Sequence, residues 1–174
     1  MDNLRVVDED EMLVMIESHR LYFSSNFKKG KKIPHLSRMI IKNADFTGLN
    51  MAGMVVFESK LENCIFSDTE LVGANFDSSI LININFDRAA LVKAEIGECK
   101  VESLSFSHTN LNRAWLVDLD LSKVNFENAM AIGTRFDECN LTGANFDGVQ
   151  FRSTIMEECI LDDNLKSSNG ILLK

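Results

Sequence analysis

Four cysteines, three histidines and 26 Asp and Glu carboxylates are the residues of this 174-residue chain best suited to chemistry. Redox or nucleophilic work needs a thiol beside a base or a second thiol, and zinc needs Cys and His at ligand spacing. Cys64, Cys99, Cys139 and Cys159 form no CxxC motif, and His19, His35 and His108 are scattered with no matching nucleophile. No nucleophile, base and orienting group can be assembled, so no catalytic residue, cofactor or metal site is expected and the chain reads as a non-enzyme. Carboxylates are the surplus, since only 18 Lys and Arg oppose them and the net charge is −8. Carboxylates projecting in parallel rarely converge six to eight oxygens on a calcium ion. Recognition of another molecule by charge is the chemistry that remains.

Any such surface needs a scaffold, and the scaffold is visible as a five-residue metre. Stepping by five from Phe46 gives Met51, Val56, Leu61, Phe66, Leu71, Phe76, Leu81, Phe86, Leu91, Ile96, Val101, Phe106, Leu111, Leu116, Leu121, Phe126, Ala131, Phe136, Leu141, Phe146, Phe151, Met156 and Leu161. The series extends backwards to Ile41 and Leu36, and every member is apolar. We call this position i. Position i−2 is usually small, as at Ala44, Ala74, Ser79, Ala89, Ala114 and Ala144, and all four cysteines fall there. That phase reads them as small buried side chains of a reducing compartment. Position i−1 is often Asn, and i+2 is often Gly or charged.

Units such as Ala44-Asp45-Phe46-Thr47-Gly48 and Ala144-Asn145-Phe146-Asp147-Gly148 resemble the A(D/N)LXX motif of the pentapeptide-repeat family, over about 25 consecutive units from residue 39 to 163. The resemblance implies an all-β fold, a right-handed quadrilateral parallel β-helix of about six coils with four pentapeptides in each. Met54, Leu104 and Leu119 put larger residues at i−2 and are expected to alter coil width locally.

Twenty residues per coil would stack Phe46, Phe66, Phe86, Phe106, Phe126 and Phe146 in one column, a regularity that a period of five alone does not require. Stacked rings gain about 0.5–1.5 kcal/mol per pair beyond burial, which explains the choice of phenylalanine. The same period sorts outward residues by face. One face carries Glu58, Asp77, Glu95, Glu98, Asp118, Asp137, Glu138, Glu157 and Glu158 against Arg135 alone, and Trp115 also points outward there. These acids and Trp115 are the expected partner-binding residues, with simple solubility as the alternative. Some quinolone-resistance members of the family, which act on DNA gyrase and topoisomerase IV, resemble this chain in fold and charge. That resemblance implies a protein partner with a basic groove, a type II topoisomerase being the candidate, with no direct contact to nucleic acid. The interrupting loops that some of them carry are missing from the metre. A general protein-interaction scaffold is the alternative.

The flanks stand outside the metre. Residues 1–38 carry Asp8-Glu9-Asp10-Glu11, an N-cap and acidic first turn, and then Met12, Met15, Ile16, His19, Tyr22 and Phe23 at helical spacing. This predicts a helix over about 9–23 that plugs the apolar end of the column, as a short helix does in many bacterial family members. Lys28-Lys29-Gly30-Lys31-Lys32 reads as a solvated loop, and Pro34, the one proline, precedes the repeats. The N-terminal residues lack the charge pattern of a signal peptide and no apolar run approaches a membrane span, so a cytoplasmic protein is expected. Residues 164–174 look too short to cap a coil. Ile171, Leu172 and Leu173 are expected to pair two copies tail to tail, with folding back over the last coil as the alternative.

Overall fold

The computed structural model describes residues 3–33, 35–166 and 168–174, so Pro34 lies outside the described residues. The repeat folds as a four-sided parallel β-helix. Residues twenty apart lie side by side, as in Leu61 beside Leu81 and Leu81 beside Val101, and Ile96 beside Leu116 and Leu116 beside Phe136. Four inward columns result. The phenylalanine column is stacked throughout, with ring centroids 4.7, 5.3, 5.3, 5.2 and 4.9 Å apart from Phe46 down to Phe146. Phe76 and Phe136, from the column on the opposite side of the coil, meet these rings edge on.

The coil turns because the backbone is left-handed once in every unit. All i+2 residues from Arg38 to Glu158 have φ between +49° and +70°. Glycine adopts that region without a Cβ penalty and asparagine tolerates it, which explains Gly48, Gly53, Gly73, Gly133, Gly143 and Gly148 and the asparagines at 43, 63, 83 and 128. Position i−1 has its own reason. The Asn or Asp side chain accepts the backbone N–H of i+1, as Asn75 does from Asp77 (3.0 Å) and Asn125 from Glu127 (3.1 Å). The Asp45 and Asp120 carboxyls also accept from the side-chain hydroxyls of Thr47 and Ser122, and these bonds, joined by the backbone ones, hold both below the usual carboxylate range.

Position i−2 closes one coil on the next. The hydroxyls of Ser59, Thr69, Ser79, Thr109 and Thr134 each donate to the carbonyl 23 residues earlier, at 2.7–3.0 Å. Cys99 and Cys139 donate their thiols to the equivalent carbonyls of Phe76 and Leu116, at 2.9 and 3.3 Å. These cysteines therefore replace serine and threonine rather than alanine, and burial pushes the thiols of Cys64 and Cys99 up to about 11. The larger residues leave the coil intact. Met54, Leu104 and Leu119 are buried, and the ladder keeps its register beside them at Val55–Asn75 and Asn85–Ser105.

Sides differ in flatness. On the phenylalanine side, and on most of the next one, the carbonyl of i accepts the N–H of i+3 in a tight turn, as in Leu49 to Phe46 and Met54 to Met51. The other two sides are flatter and form five-stranded sheets. One of these contains Glu95–Gly97, Trp115–Val117, Arg135–Asp137 and Thr154–Glu157, and it carries the acidic residues.

Both flanks lengthen the solenoid beyond the expected six coils. The Ile41 column alone has seven levels, Ile41, Leu61, Leu81, Val101, Leu121, Leu141 and Leu161. Arg5–Val6 adds an outer strand beside Met39–Ile40, and Ile171–Leu173 adds one beside Thr154–Met156. The tail thus folds back over its own last coil, through Thr154 N–H to Gly170 and Lys174 N–H to Met156. With helix α2 (Asp163–Lys166) burying Leu165, it does cap that end, against the expectation drawn from its length. Phe146, Phe151, Cys159 and Leu161 nevertheless stay only partly buried there.

Helix α1 (Glu9–Ser24) starts at the N-cap Asp8, whose carboxylate accepts the Glu11 N–H at 2.8 Å. Met12, Ile16 and His19 are its buried face, and the top of the column, including Ile41 and Phe46, is fully covered. Gly30 is required in the basic loop, because φ is +75° and a Cβ there would sit 2.1 Å from the Ser18 carbonyl oxygen. His19 is the pin of this cap. Its Nδ1 accepts the Ile33 N–H at 2.9 Å and its Nε2 lies 2.8 Å from the Asn50 carbonyl, which fixes the neutral Nε2–H tautomer.

Two outcomes test this account. Burial lowers the His19 pKa, so the unfolded chain takes up a proton first as the pH falls below about 6.5. Stability from this group is then full above pH 6.5 and declines below it. The melting temperature of the wild type should fall between pH 7.5 and 5.5, and His19→Asn should remove most of that slope. In the column, Phe86→Ala should cost about 3–5 kcal/mol in urea unfolding, since a buried ring stacked on both sides is lost.

Candidate functional site: the acidic face

The expected binding residues lie along one side of the coil, on its sheet or at the adjoining turns and corners, and the structure divides them into paired and unpaired groups. Arg38, from the lead-in segment, meets Glu58 at 2.8 Å. Arg135 holds Asp137 at 3.0 Å and Glu157 at 2.7 Å. Asn75 donates to both Asp77 (2.7 Å) and Glu95 (3.1 Å). Among the described residues, Glu98, Asp118, Glu138 and Glu158 make no ion pair and no side-chain hydrogen bond. They are exposed, and they stand at left-handed corners with φ of 52°, 49°, 54° and 52°.

These four therefore rise one per coil, at the strand spacing of about 4.7–4.9 Å. Like charges stacked directly on neighbouring strands repel, by about 1 kcal/mol or less per contact in water. A left-handed corner is also a costly place for a side chain that branches at Cβ or fills space, and glycine would avoid both costs. The column is locally unfavourable on two counts.

Trp115 lies beside Glu95 on one side and Arg135 on the other in the strand register, and it is 55% exposed. The Arg135 guanidinium carbon lies 6.0 Å from the centre of the indole. Phe57, two coils above Gly97 in the i+1 column, is 40% exposed. Between these aromatics the face sinks over Gly97 into a notch of about 340 Å³, lined by Phe57, Asp77, Glu95, Glu98, Trp115 and Val117 among others.

Gly97 and Arg38 are the residues of this face that sequence reasoning missed. Arg38 stands at i+2 of Leu36, inside the segment read as lead-in, and so is not counted on the face it neutralises. Gly97 does carry a signal, since it stands at i+1 rather than i+2 and has no positive φ. Its backbone needs no glycine. Among the described residues no group of three or more His, Cys, Asp or Glu could hold a metal ion, and no helix is long and apolar enough to cross a membrane.

The coil geometry and the sequence comparisons agree on the class. Family models for the pentapeptide repeat region match residues 97–164, and those for pentapeptide repeats match residues 57–91 and 69–103. The chain belongs to the pentapeptide-repeat family. Among solved structures it is similar to HetL of the cyanobacterium Nostoc sp. strain PCC 7120, a pentapeptide-repeat protein involved in heterocyst differentiation regulation. Identity is 21%, 95% of this chain and 70% of HetL are covered, and the TM-score is 0.56. A trypsin-treated variant of QnrB1, a plasmid-mediated fluoroquinolone resistance protein, aligns at 17% identity over 79% of this chain and 91% of its own, with a TM-score of 0.47. Among curated proteins no sequence relative was found.

Proposed function

We propose that this protein is a non-enzymatic, cytoplasmic binding solenoid whose acidic face enters a basic groove of a partner protein, in the manner of a nucleic-acid duplex. The observation that carries the reading is the column of unpaired carboxylates at Glu98, Asp118, Glu138 and Glu158, held at corners where glycine would be easier. Solubility alone does not call for charges stacked in register, because scattered charge serves it as well.

Including its flanking acids, the face presents about one net negative charge per 3–4 Å of axis, close to the 3.4 Å per phosphate of one DNA strand. The packed phenylalanine column makes the rod stiff, so little ordering would accompany binding. A type II topoisomerase, which grips duplex DNA in a cationic channel, is the candidate partner, and a general interaction scaffold is the second reading. A homodimer through the C-terminal end belongs to the same proposal. The strand Ile171–Leu173 is an uncovered edge with Leu172 and Leu173 about half exposed, above a partly open column end.

In a supercoiling assay with purified gyrase, the protein should inhibit the enzyme or protect it from a quinolone at micromolar concentration. The variant Glu98→Lys, Asp118→Lys, Glu138→Lys should lose that effect by tenfold or more. Its fold should survive, because Lys93 and Lys123 already occupy left-handed corners of other faces. No effect of the wild type would remove gyrase as partner. Light scattering should give the mass of two chains, and a monomer mass at high concentration would remove the dimer.

A further inference from the structure

We propose that the notch over Gly97 is a guanidinium pocket, which takes one arginine side chain of the partner engaged by the acidic face. The inference rests on that face being a partner surface, and it identifies where on the face specificity resides.

The floor of the notch exists because residue 97 has no side chain. The residues at i+1 on this side are Phe57, Asp77, Gly97, Val117, Asp137 and Glu157 in successive coils, so a side chain is the rule. A Cβ on Gly97 would stand 3.0 Å from Asp77 Oδ1 and 3.7 Å from Val117 Cβ, in the space that forms the cavity. Every other glycine from Gly48 to Gly148 has a positive φ that accounts for it, and Gly97 does not. What the glycine provides at this position is room.

The walls match a planar cation. Trp115 supplies an exposed indole, and Phe57 a second exposed ring. Asp77 and Glu95 are fixed by their shared donor Asn75, and Glu98 stands unpaired at the rim. Arginine stacks on aromatic faces and pairs bidentately with carboxylates, whereas lysine offers a point charge on a flexible stem. The chain itself displays the mode of binding. On the far side of Trp115, Arg135 lies over the indole while its guanidinium holds Asp137 and Glu157. The notch repeats those parts, indole and two carboxylates, on the Glu95 side of the same ring, without a cation of its own. Arg135 does not line it. A volume of about 340 Å³ is near the lower end of small-ligand pockets, which suits one side chain rather than a cofactor.

Trp115 is the single tryptophan of the chain, so its fluorescence reports on this site alone. The probe is an acetylated, amidated peptide with three arginines separated by glycines, compared at low salt with its lysine and citrulline versions. The arginine peptide should change Trp115 emission saturably. The lysine peptide should bind at least about fivefold more weakly, and the neutral citrulline peptide should have no effect. Gly97→Val, which fills the notch without altering charge, and Glu95→Gln should each weaken the arginine peptide at least about fivefold, with circular dichroism and melting temperature confirming the fold. Gly97→Ala provides the same test if the valine variant does not fold.

Equal affinity for arginine and lysine peptides, or full binding by the Gly97 variants, would overturn the pocket. A double variant Glu138→Lys, Glu158→Lys, on the same face but outside the notch, separates the two levels of the reading. If it abolishes peptide binding while Gly97→Val does not, the face binds by diffuse charge and the pocket is wrong. If the arginine peptide leaves wild-type emission unchanged at millimolar concentration, the pocket is wrong whatever the supercoiling assay gives. A bound arginine peptide with no effect on gyrase would support the pocket and remove only that partner.

Discussion

The left-handed residue at every fifth position is the constraint on which the rest of this molecule depends. It bends the chain at each corner, and four bends bring residue n beside residue n+20. All other regularities follow from that return. Rings twenty apart stack, i−2 hydroxyls and thiols reach the carbonyl 23 residues earlier, and outward side chains line up in columns. The corner is also the least comfortable place in the coil for a side chain. Glycine or asparagine at a corner needs no further account. A charged residue there does, and a whole column of them is the strongest mark the surface bears.

The same geometry explains why this scaffold can hold like charges close together. In a single helix or an isolated hairpin, stacked carboxylates would open the structure locally. Here the corners are tied by backbone hydrogen bonds to the coil below, such as Glu98 N–H to Val117 and Asp118 N–H to Asp137, and the interior is continuous packed hydrocarbon. Repulsion of about 1 kcal/mol or less per level is spread along a rod whose every layer is buttressed by two others. Stability and surface charge are thereby decoupled, and the face can be shaped for a partner without remaking the core.

Much of this was legible in the residues. The metre of five marked every inward position, and the phenylalanines twenty apart revealed the coil length. The helix from Glu9 was written in Asp8 and its acidic first turn. Two things were not legible, for physical reasons. Ile171–Leu173 is too short and too irregular to announce that it pairs with Thr154–Met156, because that pairing uses a spacing of 17 rather than 20. Side-chain pairing is the other. Arg38 stands one coil above Glu58 at the same phase, yet it falls in the lead-in segment, and that its side chain reaches the Glu58 carboxylate is a matter of rotamer that phase does not give. Gly97 was legible but easily passed over, since glycine is expected in this fold and only its phase, with its φ, shows that it serves space instead of backbone.

The two ends of the rod have a consequence for assembly. Helix α1 seals the top, and the outermost strand there, Arg5–Val6, lies on a different side from the outermost strand at the bottom, Ile171–Leu173. A solenoid with matching open ends would add copies head to tail without limit and grow into fibres. Here the two outermost strands do not match: each leaves an unpaired edge, but on different sides of the rod, and the upper one is tied to the capping helix through Arg5 and Glu11. In the proposed tail-to-tail dimer, pairing through the Ile171–Leu173 edge would join like with like, which a two-fold axis satisfies. By covering the apolar top of the column, the capping helix removes the surface on which the column of a second copy could stack head to tail.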